Sequence, residues 1–173
     1  SFFQINSAQT LRLYDLIDSW TKDAKGKTII DAYSGSGGIA LWLAEKGHKG
    51  IAIEQFEPAM EDARLSAETN GISQCQFLTG NVEEHAPLVV SKEKIHTIIV
   101  DPPRKGCSES VIETLLESKP EQIIYISCNP STLARDLERL KGYKIQDLRV
   151  IDMFPQTHHI ETAVLLHRGA PAS

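Results

Sequence analysis

Thr28-Ile29-Ile30-Asp31-Ala32-Tyr33-Ser34-Gly35-Ser36-Gly37-Gly38 is the stretch on which the fold turns. Thr28–Ala32 is short and apolar enough for a buried strand, and Gly38–Lys46 reads as a helix. A strand that runs through a glycine-rich turn into a helix is the start of a βαβ unit. The alternation continues in both directions. An amphipathic helix is predicted over Ala8–Trp20, a strand over Gly50–Glu54 and a helix over Pro58–Thr69. The last is closed by Asn70-Gly71, residues suited to a helix C-terminus. Strands follow at Cys75–Thr79 and Ile95–Val100, with no regular element predicted between them. Ser108–Ser118 is expected to be helical, Gln122–Ser127 a strand and Ser131–Leu140 a helix. Lys144–Met153 and Thr162–His167 read as two closing strands. Such alternation implies an α/β fold, with a mostly parallel seven-stranded sheet and helices on both faces. Ligands of such sheets bind beyond the carboxyl ends of the strands.

The 173 residues suffice for one domain with a full core. A hydrophobic share of 41% and a charged share of 24% are those of an ordinary globular chain, and no apolar run approaches the ~20 residues of a bilayer span. Cys75, Cys107 and Cys128 are odd in number and form no CxxC pair, which argues against disulfides and zinc and points to a reducing, cytoplasmic setting. The chain opens on Ser1 rather than Met and is expected to be a fragment of a longer protein. A net charge of −5 does not favour a phosphate backbone, so a nucleic-acid partner would need a local basic patch or segments outside this chain.

Ser127-Cys128-Asn129-Pro130 joins the run Gln122-Ile123-Ile124-Tyr125-Ile126 to the next helix. Asn129 suits an N-cap and Pro130 the first helical position, so the thiol sits between a strand end and a helix N-terminus. The positive end of a helix favours thiolate, the nucleophilic form. A cysteine at a strand end is otherwise an ordinary small core residue.

In Asp31 to Gly38 the glycines, Gly35, Gly37 and Gly38 among them, let backbone pass close to a ligand while helix-terminal N–H groups face it. Glu54 ends the next strand, where a carboxylate can accept from both hydroxyls of a ribose. Ala40 breaks the dinucleotide pattern G-x-G-x-x-G. The D-x-x-x-G-x-G form with its following acid resembles the S-adenosyl-L-methionine site of Rossmann-like methyltransferases. A nicotinamide site and a plain tight turn are the competing readings.

Asp101-Pro102-Pro103-Arg104 follows a strand, and its prolines hold the chain extended and fix where Asp101 and Arg104 point. A double proline can also simply stop a strand. Asp-Pro-Pro resembles the loop with which amino-group methyltransferases hold a flipped base, although an Arg stands here in place of the aromatic. Glu161, taken alone, reads as a solvated carboxylate. His158 and His159, adjacent on an extended segment, point to opposite sides with no third ligand nearby, so no metal is expected. Arg135, Arg139, Lys141, Lys144 and Arg149, with Arg104 and Lys105, form either a solvated face or a phosphate-contacting rim.

Taken together, these segments resemble the RNA uracil-5-methyltransferases, which form 5-methyluridine in tRNA or rRNA. The matching pieces are Ser1 to Asn6, Asp31 to Gly38, Asp101 to Gly106, Tyr125 to Leu137 and Asp152 to Thr162, in the family's order. The resemblance covers the family's catalytic domain and implies that an N-terminal RNA-binding portion, often a small β-barrel, is absent from this chain. It implies a class I methyltransferase fold, Cys128 as nucleophile and Glu161 as proton-abstracting base. It implies S-adenosyl-L-methionine bound by Gln4, Tyr33, Gly35, Gly37, Gly38, Glu54, Asn81 and Asp101, and substrate held by Asp101 and Arg104. The implied partner is tRNA or rRNA, with no membrane and no metal, for a monomer. Ser34 and Ala32 depart from residues common in the family, Cys and Leu, without touching the chemistry.

The residue types suit that reaction on chemical grounds. Carbon 5 of uracil is a weak nucleophile until a thiolate adds at carbon 6 and makes the ring an enolate. A base must then remove the proton left on carbon 5, and the target base must be extruded or offered in a loop. An amino-group methyltransferase, which has no use for Cys128, and a non-catalytic RNA-binding module are the alternatives.

Overall fold

A computed structural model describes residues 8–154 and 159–169. Seven strands form one sheet in the order β3-β2-β1-β4-β5-β7-β6. They are β1 Thr28–Ala32, β2 Lys49–Glu54, β3 Cys75–Thr79, β4 Thr97–Val100, β5 Gln122–Ser127, β6 Tyr143–Phe154 and β7 His159–Arg168. The first five are parallel; β7 runs antiparallel to both β5 and β6. Six α-helices connect them: α1 Ala8–Trp20, α2 Gly38–Glu45, α3 Glu57–Thr69, α4 Val82–Lys92, α5 Glu109–Ser118 and α6 Pro130–Arg139. The class and the mostly parallel sheet are as expected from the sequence.

The central strands are buried on both faces, as a sheet covered by helices requires. Ile98 and Val100 point into a core with Val111, Leu115 and Leu133 of α5 and α6. Ile99 and Ile124 point the other way, against Leu13 and Ile17 of α1 and Leu43 of α2. All four β4 residues and all six of β5 are buried, so polar groups are excluded until each strand ends. Polar chemistry is thereby pushed to the strand termini.

Helix α4 is absent from the sequence expectation. Pro87 lies inside it, removing one donor from the helix, which is why the segment does not read as helical. A usable signal was present: Asn81 stands at the N-cap position, Glu83 and Glu84 fill the first turn, and Val82 and Ala86 are buried one turn apart.

Strand order reverses between β1 and β4, since β2 lies to one side of β1 and β4 to the other. Ala32 pairs with Val100 at this point, and the Asp101 N–H donates to the Ala32 carbonyl at 3.3 Å. The loops after β1 and β4 therefore leave the sheet side by side, opening a crevice of the kind that holds ligands in open α/β sheets.

Candidate functional site

On the β1–β2 side of the crevice, the glycine loop is folded around Glu54. Gly35 N–H donates to Glu54 Oε2 at 2.9 Å and Phe56 N–H to Oε1 at 3.0 Å. Each oxygen retains a second lone pair for a further donor. Gly35 has φ +56, and a Cβ there would stand in open space. Gly37, at φ +75, caps α2, and a Cβ there would lie 3.1 Å from that of Ala63. Gly38 begins α2, whose free N–H groups face the loop. Asp31 Oδ2 accepts from Ala40 N–H at 3.0 Å, tying β1 to α2. Asp31 Oδ1 and Ser34 Oγ are buried without a hydrogen-bond partner among the described residues.

A cavity of about 270 Å³ adjoins this loop and is lined by Tyr33, Glu54 and Asn81 together with Pro103 and Gly106. Three of the sequence-predicted cofactor residues thus line one cavity. Gln4 lies outside the described residues. A larger cavity, about 490 Å³, is lined by Trp20, His96, Gln122 and His167. His96 precedes β4 and Gln122 begins β5, so this second cavity belongs to the opposite edge of the sheet.

Asp101, at the end of β4, is reached by solvent from the crevice although protein crowds it on most sides. Its pKa is pushed up to about 8, by desolvation first and then by the charges of Glu161 and Asp31. Asp31 is pushed up to about 7, chiefly by burial, with Glu54 adding to the effect against the Ala40 hydrogen bond. The crevice floor is therefore a cluster of acids that resist sharing negative charge. Tyr14 of α1 is held above its ordinary value by burial and by Asp31 and Asp101, so α1 contributes a phenol near these carboxyls that the sequence did not single out.

On the β5 side, the Ser127 hydroxyl donates to the Asn129 carbonyl at 2.9 Å and accepts from the Asn129 N–H at 3.0 Å. These bonds fold the chain tightly around the half-buried Cys128. Asn129 caps α6 as expected, accepting from Ser131 N–H at 3.1 Å, with Pro130 in the first turn. The antiparallel ladder ends with Ser127 paired to Thr162, so Cys128, just past β5, and Glu161, one residue before Thr162, lie at the same end of that ladder. Glu161 is half-buried and belongs to β7 itself, paired with Ile151 of β6. It stands near the start of an antiparallel strand, not at a strand's carboxyl end; because β7 is reversed, both positions fall on one edge of the sheet. Asp101, Cys128 and Glu161 are thus gathered there. His158 lies outside the described residues, and among the described residues no group of three or more His, Cys, Asp or Glu side chains could hold a metal ion.

Arg104 is exposed, and its carbonyl accepts from Asn129 Nδ2 at 3.0 Å and Thr132 Oγ1 at 2.9 Å. Two of the basic residues are engaged within the protein: Arg135 with Asp136, and Arg149 with Asp147. Arg104, Lys105, Lys141 and Lys144 are exposed. No helix among the described residues is long and apolar enough to cross a membrane.

Similarity to known proteins agrees with this geometry. The family profile for tRNA (uracil-5-)-methyltransferase matches residues 1–169. An uncharacterized RNA methyltransferase of Fusobacterium nucleatum is 47% identical over 97% of this chain and 37% of its own length. Another, from Bacillus cereus, is 43% identical over the same shares of each chain. The chain thus spans little more than a third of these relatives. Among solved structures, Pyrococcus abyssi tRNA (uracil-54, C5)-methyltransferase in complex with S-adenosyl-L-homocysteine superposes with a TM-score of 0.83. It is 36% identical, over 96% of this chain and 40% of that one. Magnesium protoporphyrin IX methyltransferase from Synechocystis shares the fold at a TM-score of 0.75 and 15% identity, over 93% of this chain and 80% of its own. The chain has a class I methyltransferase fold, and it belongs to the tRNA (uracil-5-)-methyltransferase family.

Proposed function

We propose that this chain is the catalytic unit of an enzyme that methylates carbon 5 of a uridine in tRNA or rRNA, using S-adenosyl-L-methionine. The observation that carries this reading is the β5–β7 register, which brings Cys128 and Glu161 to one end of the ladder beside Asp101.

The residues present fit the cofactor. Glu54 keeps acceptor capacity for ribose hydroxyls, Gly35 leaves room at the loop, and the acids Asp31 and Asp101 suit a sulfonium cation. When bound, the cofactor supplies an electrophilic methyl group. Tyr33 and Asn81 would line the adenosine side of the cavity.

Cys128 Sγ forms a bond to carbon 6 of the uracil, and the electrons of the 5,6 double bond move toward the carbon 4 oxygen. Carbon 5, now nucleophilic, would take the methyl group as the sulfur–methyl bond of the donor breaks, leaving S-adenosyl-L-homocysteine. Glu161 accepts the proton still on carbon 5; the electron pair it leaves re-forms the double bond, and the carbon–sulfur bond breaks to return the thiolate. Asp101 and Arg104 face the base from the neighbouring loop. The exposed Arg104 and Lys105 offer charge to a phosphate.

The decisive experiment maps 5-methyluridine in total RNA from cells with and without the full-length gene. Loss of the modified nucleoside at one site identifies the substrate. Unchanged 5-methyluridine at every site would remove the assignment.

A further inference from the structure

The loop after Asp101 is bonded along its length to the first two turns of α6. The Arg104 carbonyl accepts from Asn129 and Thr132, and the Lys105 carbonyl from Arg135 Nη2 at 2.7 Å. Cys107 N–H donates to Asp136 Oδ2 at 2.8 Å. Gly106, at φ +79, lies between them, and a Cβ there would come within 2.6 Å of Asp136 Oδ2 and 2.5 Å of Arg135 Nη2. No side chain fits between loop and helix.

Asp136 is the centre of this seam, with no exposed surface. Besides Cys107 N–H it accepts from Tyr125 Oη at 2.5 Å and from Arg135 Nε at 3.1 Å. Tyr33 packs against the core cluster that holds Cys107 and Tyr125; burial first, then the Asp136 charge, pushes the Cys107 thiol up to about 12. Tyr33 in turn lines the cavity beside Glu54. Lys105 and Gly106, held in this seam, also line that cavity, so the loop joins the cofactor side to the helix that begins just after Cys128.

A buried ion pair adds little net stability over well-packed apolar groups, whereas its directional bonds define geometry. We propose that Asp136 is a positioning residue, which locks the loop after Asp101 onto α6 and so holds Asp101 and Cys128 at one spacing. The inference rests on the reading of Cys128 as nucleophile. Asp136 touches neither substrate nor cofactor and acts through Gly106, Cys107 N–H and Arg135.

The test compares Asp136→Asn, Asp136→Ala and Thr132→Val in the full-length enzyme, each assayed for kcat and KM on RNA, for melting temperature and for S-adenosyl-L-methionine affinity by calorimetry. Asp136→Ala should lower kcat about 100-fold, the scale of an ångström-sized misplacement, with KM for RNA little changed. Its cofactor affinity should also fall, because Lys105 and Gly106 of the released loop line the cavity beside Glu54. Asp136→Asn keeps an oxygen for Cys107 N–H and Tyr125 and should recover most of the rate. Thr132→Val removes one bond to the loop at a partly exposed position; it should lower kcat several-fold without changing the melting temperature, which keeps the test decisive if Asp136→Ala does not fold. A lower melting temperature with normal kcat per folded molecule would mean a structural role alone and would overturn the proposal. Wild-type protein that binds the cofactor but methylates no RNA would instead overturn the reading of Cys128, and the affinity of the Asp136 variants would still decide the clamp.

Discussion

Ser127 pairs with Thr162 across the β5–β7 ladder, and this register puts residues 33 positions apart in the chain, Cys128 and Glu161, at the same end of the ladder. Had β7 run parallel to β5, Glu161 would have stood at the opposite edge of the sheet. An antiparallel strand is therefore part of the proposed chemistry. It gives thiol and carboxylate a shared, hydrogen-bonded frame.

Replacing Cys128 by Ala should abolish methyl transfer by at least about 10³-fold, since a covalent nucleophile has no substitute in the site. Folding should survive, because the side chain is only half-buried. Cys75→Ala should retain activity, since Cys75 sits on β3 at the far edge of the sheet. Single-turnover methylation with each variant provides the measurement. Turnover by Cys128→Ala would rule out the covalent route.

Glu161→Gln is expected to permit attack and methyl transfer but to stall before elimination. The variant should accumulate a protein–RNA adduct that carries a labelled methyl group and survives denaturing electrophoresis. Folded, inactive protein without that adduct would remove Glu161 from the role of base.

Glu54→Ala should weaken S-adenosyl-L-methionine binding roughly 10- to 100-fold, as expected for lost hydrogen bonds to a charged acceptor. The loss has two sources: the ribose contacts and the bonds to Gly35 and Phe56 that shape the loop. Calorimetry on well-folded variant showing unchanged affinity would withdraw the ribose role.

Stability of the cofactor-free protein should fall as pH rises from about 4 through about 8. Asp31 moves from 3.8 to about 7 and Asp101 from 3.8 to about 8, so the folded state favours their neutral forms. Their contribution is complete below the unfolded value and is lost as each folded value is passed. For fully buried Asp31 the upper bound is about 4 kcal/mol, at 1.36 kcal/mol per unit. Solvent at Asp101 makes its share smaller. Asp31→Asn should flatten the slope in melting temperature across this range. An unchanged slope would place the pH dependence elsewhere.

Local patterns carried far in this chain. Short apolar runs bounded by Gly, Pro, Ser and Asn mark strand ends, so Thr28–Ala32, Cys75–Thr79 and Gln122–Ser127 were legible to the residue. The Asn129-Pro130 start of α6 was equally plain, because capping is a matter of adjacent residues. Helix α4 was not, since Pro87 contradicts the local rule and burial of Val82 and Ala86 overrides it. No motif singles out Cys107; only the bond from its N–H to Asp136, 29 residues on, gives it a place beside the site.

The sequence by itself determined the alternating α/β class, the glycine loop with Glu54, and Cys128 between a strand and a helix, because each depends on neighbours within one or two turns of chain. Tertiary structure alone decided which residues gather: the reversed β7 that puts Glu161 at the Cys128 end of the ladder, the Asp31–Asp101 crowding at the switch between β1 and β4, and the Asp136 seam. Those relationships come from strand order, register and shared burial among segments up to more than a hundred residues apart, such as Asp31 and Glu161. Desolvation and charge coupling act through space, and no local pattern encodes them.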